Sequence, residues 1–173
     1  MQWYTFSEGQ RRRPAPDFRL PSGRGGSAAL DDYRGQRNLV LFFTHDGECS
    51  PCQALLRDLA ARHTEYQSED AQVVAIVPEA RSNVAEMQSS LDLPFPLLAD
   101  PDNQVRRGYL ELIPDRSETI DVVFVMDRYG APYAAVLGPE PGDPAVHEEI
   151  LEWLGFIEIQ CPECGISEWP VEA

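Results

Sequence analysis

The sequence contains no apolar run approaching the roughly 18 residues that a membrane-spanning helix needs. Its first residues, MQWYTFSEGQRRRPAP, lack the apolar stretch of a secretory signal. Basic residues are few: 14 Lys plus Arg stand against 29 Asp plus Glu, for a net charge of −15. A surface of that sign repels phosphate backbones and anionic lipid, which argues against nucleic acid and membrane as partners. The chain has no internal repeat and no low-complexity segment. Cysteine is scarce, with four in 173 residues. Together these features point to a reducing cytoplasm. Paired cysteines there are more often redox-active or metal-bound than structural staples.

A chain of 173 residues that is 43% hydrophobic can bury the core of one domain. Residues 1–13 read as an N-terminal tail, with a solvated basic island at Arg11, Arg12 and Arg13. Residues 14–159 read as the folded domain, and 160–173 as a C-terminal tail carrying a Cys-x-x-Cys pair. Continuous apolar runs predict buried strands over 38–44 and 72–77. Shorter strands are expected over 95–100, 121–127 and 132–137, the last two joined by a turn at Gly130. Three- and four-residue spacing predicts helices over 50–65, 81–91 and 144–159. Another is expected over 102–110, with Asp100 as its cap. This order predicts an α/β fold, a central mixed β-sheet covered by helices on both faces.

The four cysteines fall into two pairs, GECSPCQ (47–53) and CPECG (161–165). Cys49 and Cys52 lie where the strand over 38–44 hands over to the helix over 50–65. Pro51 suits the first turn of that helix. Unpaired N–H groups at a helix start stabilise a thiolate, which is the nucleophile. Cys49 is therefore read as the exposed attacker, and Cys52, one turn in, as the resolver. The competing reading makes the pair half of a metal site. Asp46 and Glu48 flank the loop and disfavour a thiolate. His45 either accepts a proton or simply faces solvent.

PAPDFRLPSGRGGSAALDDYRGQRNLVLFF (14–43), FPLLADPDNQVRRGY (95–109) and VVFVMDRYGAPY (122–133) resemble alkyl hydroperoxide reductase / thiol-specific antioxidant proteins, the peroxiredoxin-like branch of the thioredoxin fold. The resemblance covers roughly 14–157 and implies a thioredoxin-like fold with cysteine redox chemistry. The same family places a Thr or Ser three residues before its attacking cysteine, where this chain has Asp46. Thr44 stands where a proline is expected. At the start of the strand over 121–127 the family carries a peroxide-binding arginine, and in this chain Asp121 takes that place. The thioredoxin-like reductase branch matches CSPC better, but its proline before that strand is missing. Disulfide chemistry is therefore favoured over dedicated peroxide chemistry.

The resulting expectation is a thiol–disulfide oxidoreductase that acts on a disulfide or hydroperoxide through Cys49 and Cys52, with Pro51, His45 and Thr44 as supporting candidates. It implies no organic cofactor and a thiol reductant such as a thioredoxin system. The alternatives are a catalytically weakened scaffold with a cysteine metal site, and an acidic module that holds a basic partner. Cys161 and Cys164 have four readings: a zinc site of their own or one closed across a homodimer, a disulfide relay to Cys49 and Cys52, a four-cysteine site shared with them, or an idle tail.

Overall fold

The computed structural model describes residues 1–114 and 119–160. The polypeptide begins with β1 (Gln2–Thr5) and a single helical turn, α1 (Glu8–Arg11), followed by a small hairpin of β2 (Arg19–Pro21) and β3 (Ser27–Ala29). Next come β4 (Asn38–Phe43), α2 (Ser50–Ala61), α3 (His63–Ser68), β5 (Ala71–Val77), α4 (Arg81–Ser90), β6 (Leu97–Ala99) and α5 (Gln104–Leu110). The hairpin β7 (Val122–Met126) and β8 (Pro132–Leu137) and a last helix, α6 (Pro144–Glu158), complete the described chain.

Six strands form one sheet in the order β1-β8-β7-β4-β5-β6. The strands β4, β5 and β6 run parallel, while β7, β8 and β1 pair antiparallel. All six residues of β4 are buried, as a strand covered on both faces requires. Val40 and Phe42 face one core with Leu55, Leu56 and Leu59 of α2 and Ile150 and Leu154 of α6. Leu39, Leu41 and Phe43 face the other, with Phe6, Phe18 and Tyr109. Side-chain alternation along one apolar strand thus feeds two cores.

Two expectations need correction. Residues 2–5, read as part of a tail, form β1 on the outer edge of β8, with Gln2 opposite Leu137. Phe6 is buried, and its N–H bonds the Tyr133 carbonyl at 3.0 Å. Pairing covers an edge that would otherwise present open backbone groups. Arg11 of the basic island lies 4.6 Å over the Tyr133 ring, so apolar and aromatic partners hold this segment. The helix expected over 50–65 is two helices, broken at Arg62 (φ −102°, ψ 10°). That break turns Tyr66 into the interior, where its hydroxyl meets His147 Nδ1 at 2.5 Å. Two local expectations hold. Asp100 accepts from the N–H groups of Gln104 and Arg106 at the start of α5, and Gly130 turns the hairpin at φ 84°.

Candidate redox site

Phe43 pairs with Ile76 of β5 and with Val122 of β7. The C-terminal ends of the parallel strands and the start of β7 therefore share one end of the sheet. The loop 44–49 leaves β4 at this end and enters α2. Cys49 is the N-cap of α2, Ser50 its first residue, and Pro51 lies in the first turn. The Cys52 N–H donates to Cys49 Sγ at 3.3 Å, so the sulfur takes the role a capping oxygen usually fills. Cys49 is half-buried and Cys52 is 1% exposed. Of the two, Cys49 has both the helix N-terminus and access from solvent.

Asp121 immediately precedes β7 and is buried at 5% exposure. Its Oδ1 accepts from the His45 backbone N–H at 2.8 Å and lies 2.7 Å from His45 Nδ1. The same oxygen accepts from Cys52 Sγ at 3.4 Å, and Cys52 Sγ is 3.5 Å from His45 Nδ1. Burial pushes the Cys52 thiol up, and the hydrogen bond with Cys49 and the Asp121 charge push it further. Cys52 therefore holds its proton at neutral pH, with a carboxylate and an imidazole positioned to receive it.

The structure thus brings together Cys49, Pro51, Cys52 and His45 from the expected set. His45 is fastened to Asp121 rather than free in solvent. Thr44 is fully buried and continues the β4 ladder through its N–H to the Ile76 carbonyl. Its hydroxyl makes no hydrogen bond among the described residues. Asp46 and Glu48, whose charges were expected to oppose a thiolate, are both exposed. Asp46 instead accepts from the Glu48 N–H at 2.8 Å and shapes the loop. The carboxylate that touches the dithiol is Asp121, which sequence reasoning treated only as a missing arginine. Arg128 is at the other end of the sheet. It pairs there with Glu158 at 2.6 Å and Asp70 at 3.4 Å.

Cys161 and Cys164 lie outside the described residues. The helix that leads to them ends far from Cys49. Glu158 bonds the Asn38 side chain at 2.5 Å, and Asn38 is the first residue of β4, whereas Cys49 follows the last. Six strand residues separate these ends by about 17 Å. Gln160 is tied back to Ile157 and Phe156. The end of α6 therefore lies at the opposite end of β4 from Cys49.

A groove of about 520 Å³ runs beside the loop and is lined by Glu48, Gln53, Glu79, Asn83 and Glu86, among others. Gly47 forms its floor against the Glu79 side chain, where a Cβ would collide with that carboxylate. Three acidic side chains thus line the groove beside the loop that leads to Cys49.

A dithiol in the first turn of the helix that follows the central parallel strand, in a mixed sheet with helices on both faces, defines a thioredoxin-like redoxin. Within that class the chain belongs to the AhpC/TSA family, whose model matches residues 12–131. It is 31% identical over 121 residues to a peroxiredoxin of Thermoplasma volcanium, a match covering 65% of this chain and 58% of that one. It is 30% identical over 96 residues to the thiol-disulfide oxidoreductase ResA of Geobacillus thermodenitrificans, covering 55% and 54%. The crystal structure of peroxidoxin BcpB from Mycobacterium tuberculosis matches with a TM-score of 0.71 at 18% identity, covering 86% of this chain and 96% of that one, a likeness of fold. The chain spans between half and three fifths of the length of the curated relatives it matches. Among the described residues no helix is long and apolar enough to cross a membrane.

Proposed function

We propose that the protein is a thiol-dependent oxidoreductase whose Cys-Ser-Pro-Cys loop exchanges disulfides in preference to reducing peroxides. The Cys49 thiolate attacks one sulfur of a substrate disulfide and expels the other half as a thiolate. Cys52 then gives its proton to the Asp121–His45 pair and attacks Cys49 Sγ. The second substrate sulfur leaves, and the Cys49–Cys52 disulfide holds the oxidising equivalent. Two electrons have passed to the substrate, and a thiol reductant such as a thioredoxin system returns them. No organic cofactor is required. A cytoplasmic setting suits a dithiol that must be kept reduced.

The single observation that carries this preference is the buried Asp121 carboxylate 3.4 Å from Cys52. A departing peroxide oxygen develops negative charge and needs donors, so a carboxylate there opposes it. In disulfide exchange the same carboxylate is an acceptor for the proton that Cys52 must lose. The second pair is assigned a separate role, zinc binding alone or across two copies of the chain, because α6 ends opposite the first pair.

Trapping tests the assignment. In a chain that also carries Cys161→Ser and Cys164→Ser, Cys52→Ser treated with a small disulfide should stop as a mixed disulfide on Cys49, visible as an intact-mass adduct. Cys49→Ser in the same background should show none. An adduct that forms on Cys52 at the same rate in the Cys49→Ser chain contradicts the attacker and resolver roles.

A further inference from the structure

His45, Cys49 and Cys52 each offer one ligand atom, and the three atoms lie within 4.8 Å of one another. A zinc ion bound by thiolate at about 2.3 Å and imidazole at about 2.0–2.1 Å puts those two donors about 3.6 Å apart in a tetrahedron. Cys52 Sγ and His45 Nδ1 are 3.5 Å apart already. Two thiolates at tetrahedral angles stand about 3.8 Å apart. A spacing within 4.8 Å leaves at most about 1 Å to close, and Cys49 is the half-buried member with room to turn.

Charge and anchoring point the same way. Asp121 Oδ1 is 3.4 Å from Cys52 Sγ and 2.7 Å from His45 Nδ1, so a buried anion stands against two of the three donors. With His45 Nδ1 as the ligand atom, Asp121 is placed to supply a fourth, carboxylate ligand. Its backbone bond to His45 fixes the loop that carries the imidazole. Two sulfurs and one nitrogen suit a borderline-soft ion and not magnesium or calcium, which prefer all-oxygen sites.

We propose that the reduced protein binds one divalent ion of the zinc class through His45, Cys49 and Cys52, and that formation of the Cys49–Cys52 disulfide releases it. Binding displaces the thiol protons to solvent. When a disulfide RSSR oxidises the pair, a Cys49–Cys52 bond forms and the RS–SR bond breaks. Two electrons leave the protein sulfurs, two RS⁻ form, and the ion loses both thiolate ligands. The ion therefore competes with disulfide for the same electron pairs, so metal occupancy reports the redox state of the loop.

The test uses the full-length chain with Cys161→Ser and Cys164→Ser, which removes the other thiolates. Cobalt(II) titrated into this reduced chain should give one equivalent of a tetrahedral complex with a thiolate-to-cobalt charge-transfer band that zinc abolishes. His45→Ala and Cys49→Ser, each checked by circular dichroism, should weaken binding by at least about 10–100-fold, the loss typical even of an outer partner. Oxidation with excess cystamine should erase the band. Absence of the band in the reduced double-Ser chain overturns the proposal. So does unchanged affinity after His45→Ala, or metal retained by the oxidised chain. Should His45→Ala fail to fold, the half-exposed Cys49→Ser variant and the oxidation step decide. Disulfide exchange followed in chelator reports separately on the redox reading: exchange without any cobalt band removes this inference and leaves that reading standing.

Discussion

At the residue scale, the proposed preference of the dithiol rests on Asp121. Its contact with Cys52 spans 69 positions and that with His45 spans 76. No local pattern announces such a contact, whereas Cys49 and Cys52 were legible because spacing and a strand-to-helix switch are local signals. The absence of the family's arginine was also legible. What the replacing carboxylate touches was not. Asp121→Asn keeps the shape and removes the proton acceptor. We expect the first substrate thiol to leave at the parent rate, while release of the second slows on the order of 10²-fold as the mixed disulfide accumulates. Rapid-quench mass analysis separates the two steps, and equal slowing of both would place Asp121 in attack rather than resolution.

At the element scale, the break between α2 and α3 has a measurable consequence. It lets Tyr66 meet His147 of α6, both buried. Burial lowers the His147 pKa, the Arg62 charge lowers it further, and Asp58, Glu65 and Asp143 oppose the shift in part. The fold therefore prefers neutral imidazole. Because the unfolded chain binds the proton more readily, this contribution is complete above the unfolded pKa of about 6.5 and is lost as pH falls below it. Thermal midpoints should drop between about pH 7 and pH 5.5, and His147→Gln, which cannot charge, should flatten that part of the curve. An unchanged slope would show that other groups set it. The core elements were legible because β4 is apolar throughout and the helices are amphipathic. The strand β1 was missed because Trp3 and Phe6 stand among polar residues in QWYTFSEG, and only pairing with β8 buries Phe6 and packs Trp3 against the core. The helix break was missed because the three- and four-residue spacing continues across Arg62 to His63.

At the scale of the whole molecule, the net charge is −15, and the carboxylates Glu48, Glu79 and Glu86 make the groove beside the loop 44–49 acidic. Like charges repel an anionic disulfide and draw a cationic one toward the loop. Reduced protein should react faster with cystamine than with a dianionic disulfide of similar leaving-group acidity. The ratio should shrink as salt rises from about 10 mM to 1 M, where the screening length falls from about 30 to 3 Å. Glu79→Gln together with Glu86→Gln should reduce the ratio at low salt. A ratio insensitive to salt and to both substitutions would mean that the groove does not steer substrate.

Stopped-flow oxidation of the fully reduced chain, in chelator, by cystamine and by hydrogen peroxide under identical conditions tests the central claim most directly. With Asp121 in place of a peroxide-binding donor, whose loss typically costs on the order of 10²–10³ in rate, the disulfide should close the Cys49–Cys52 bond faster than the peroxide. A second-order rate constant for peroxide that exceeds the one for cystamine would contradict the account.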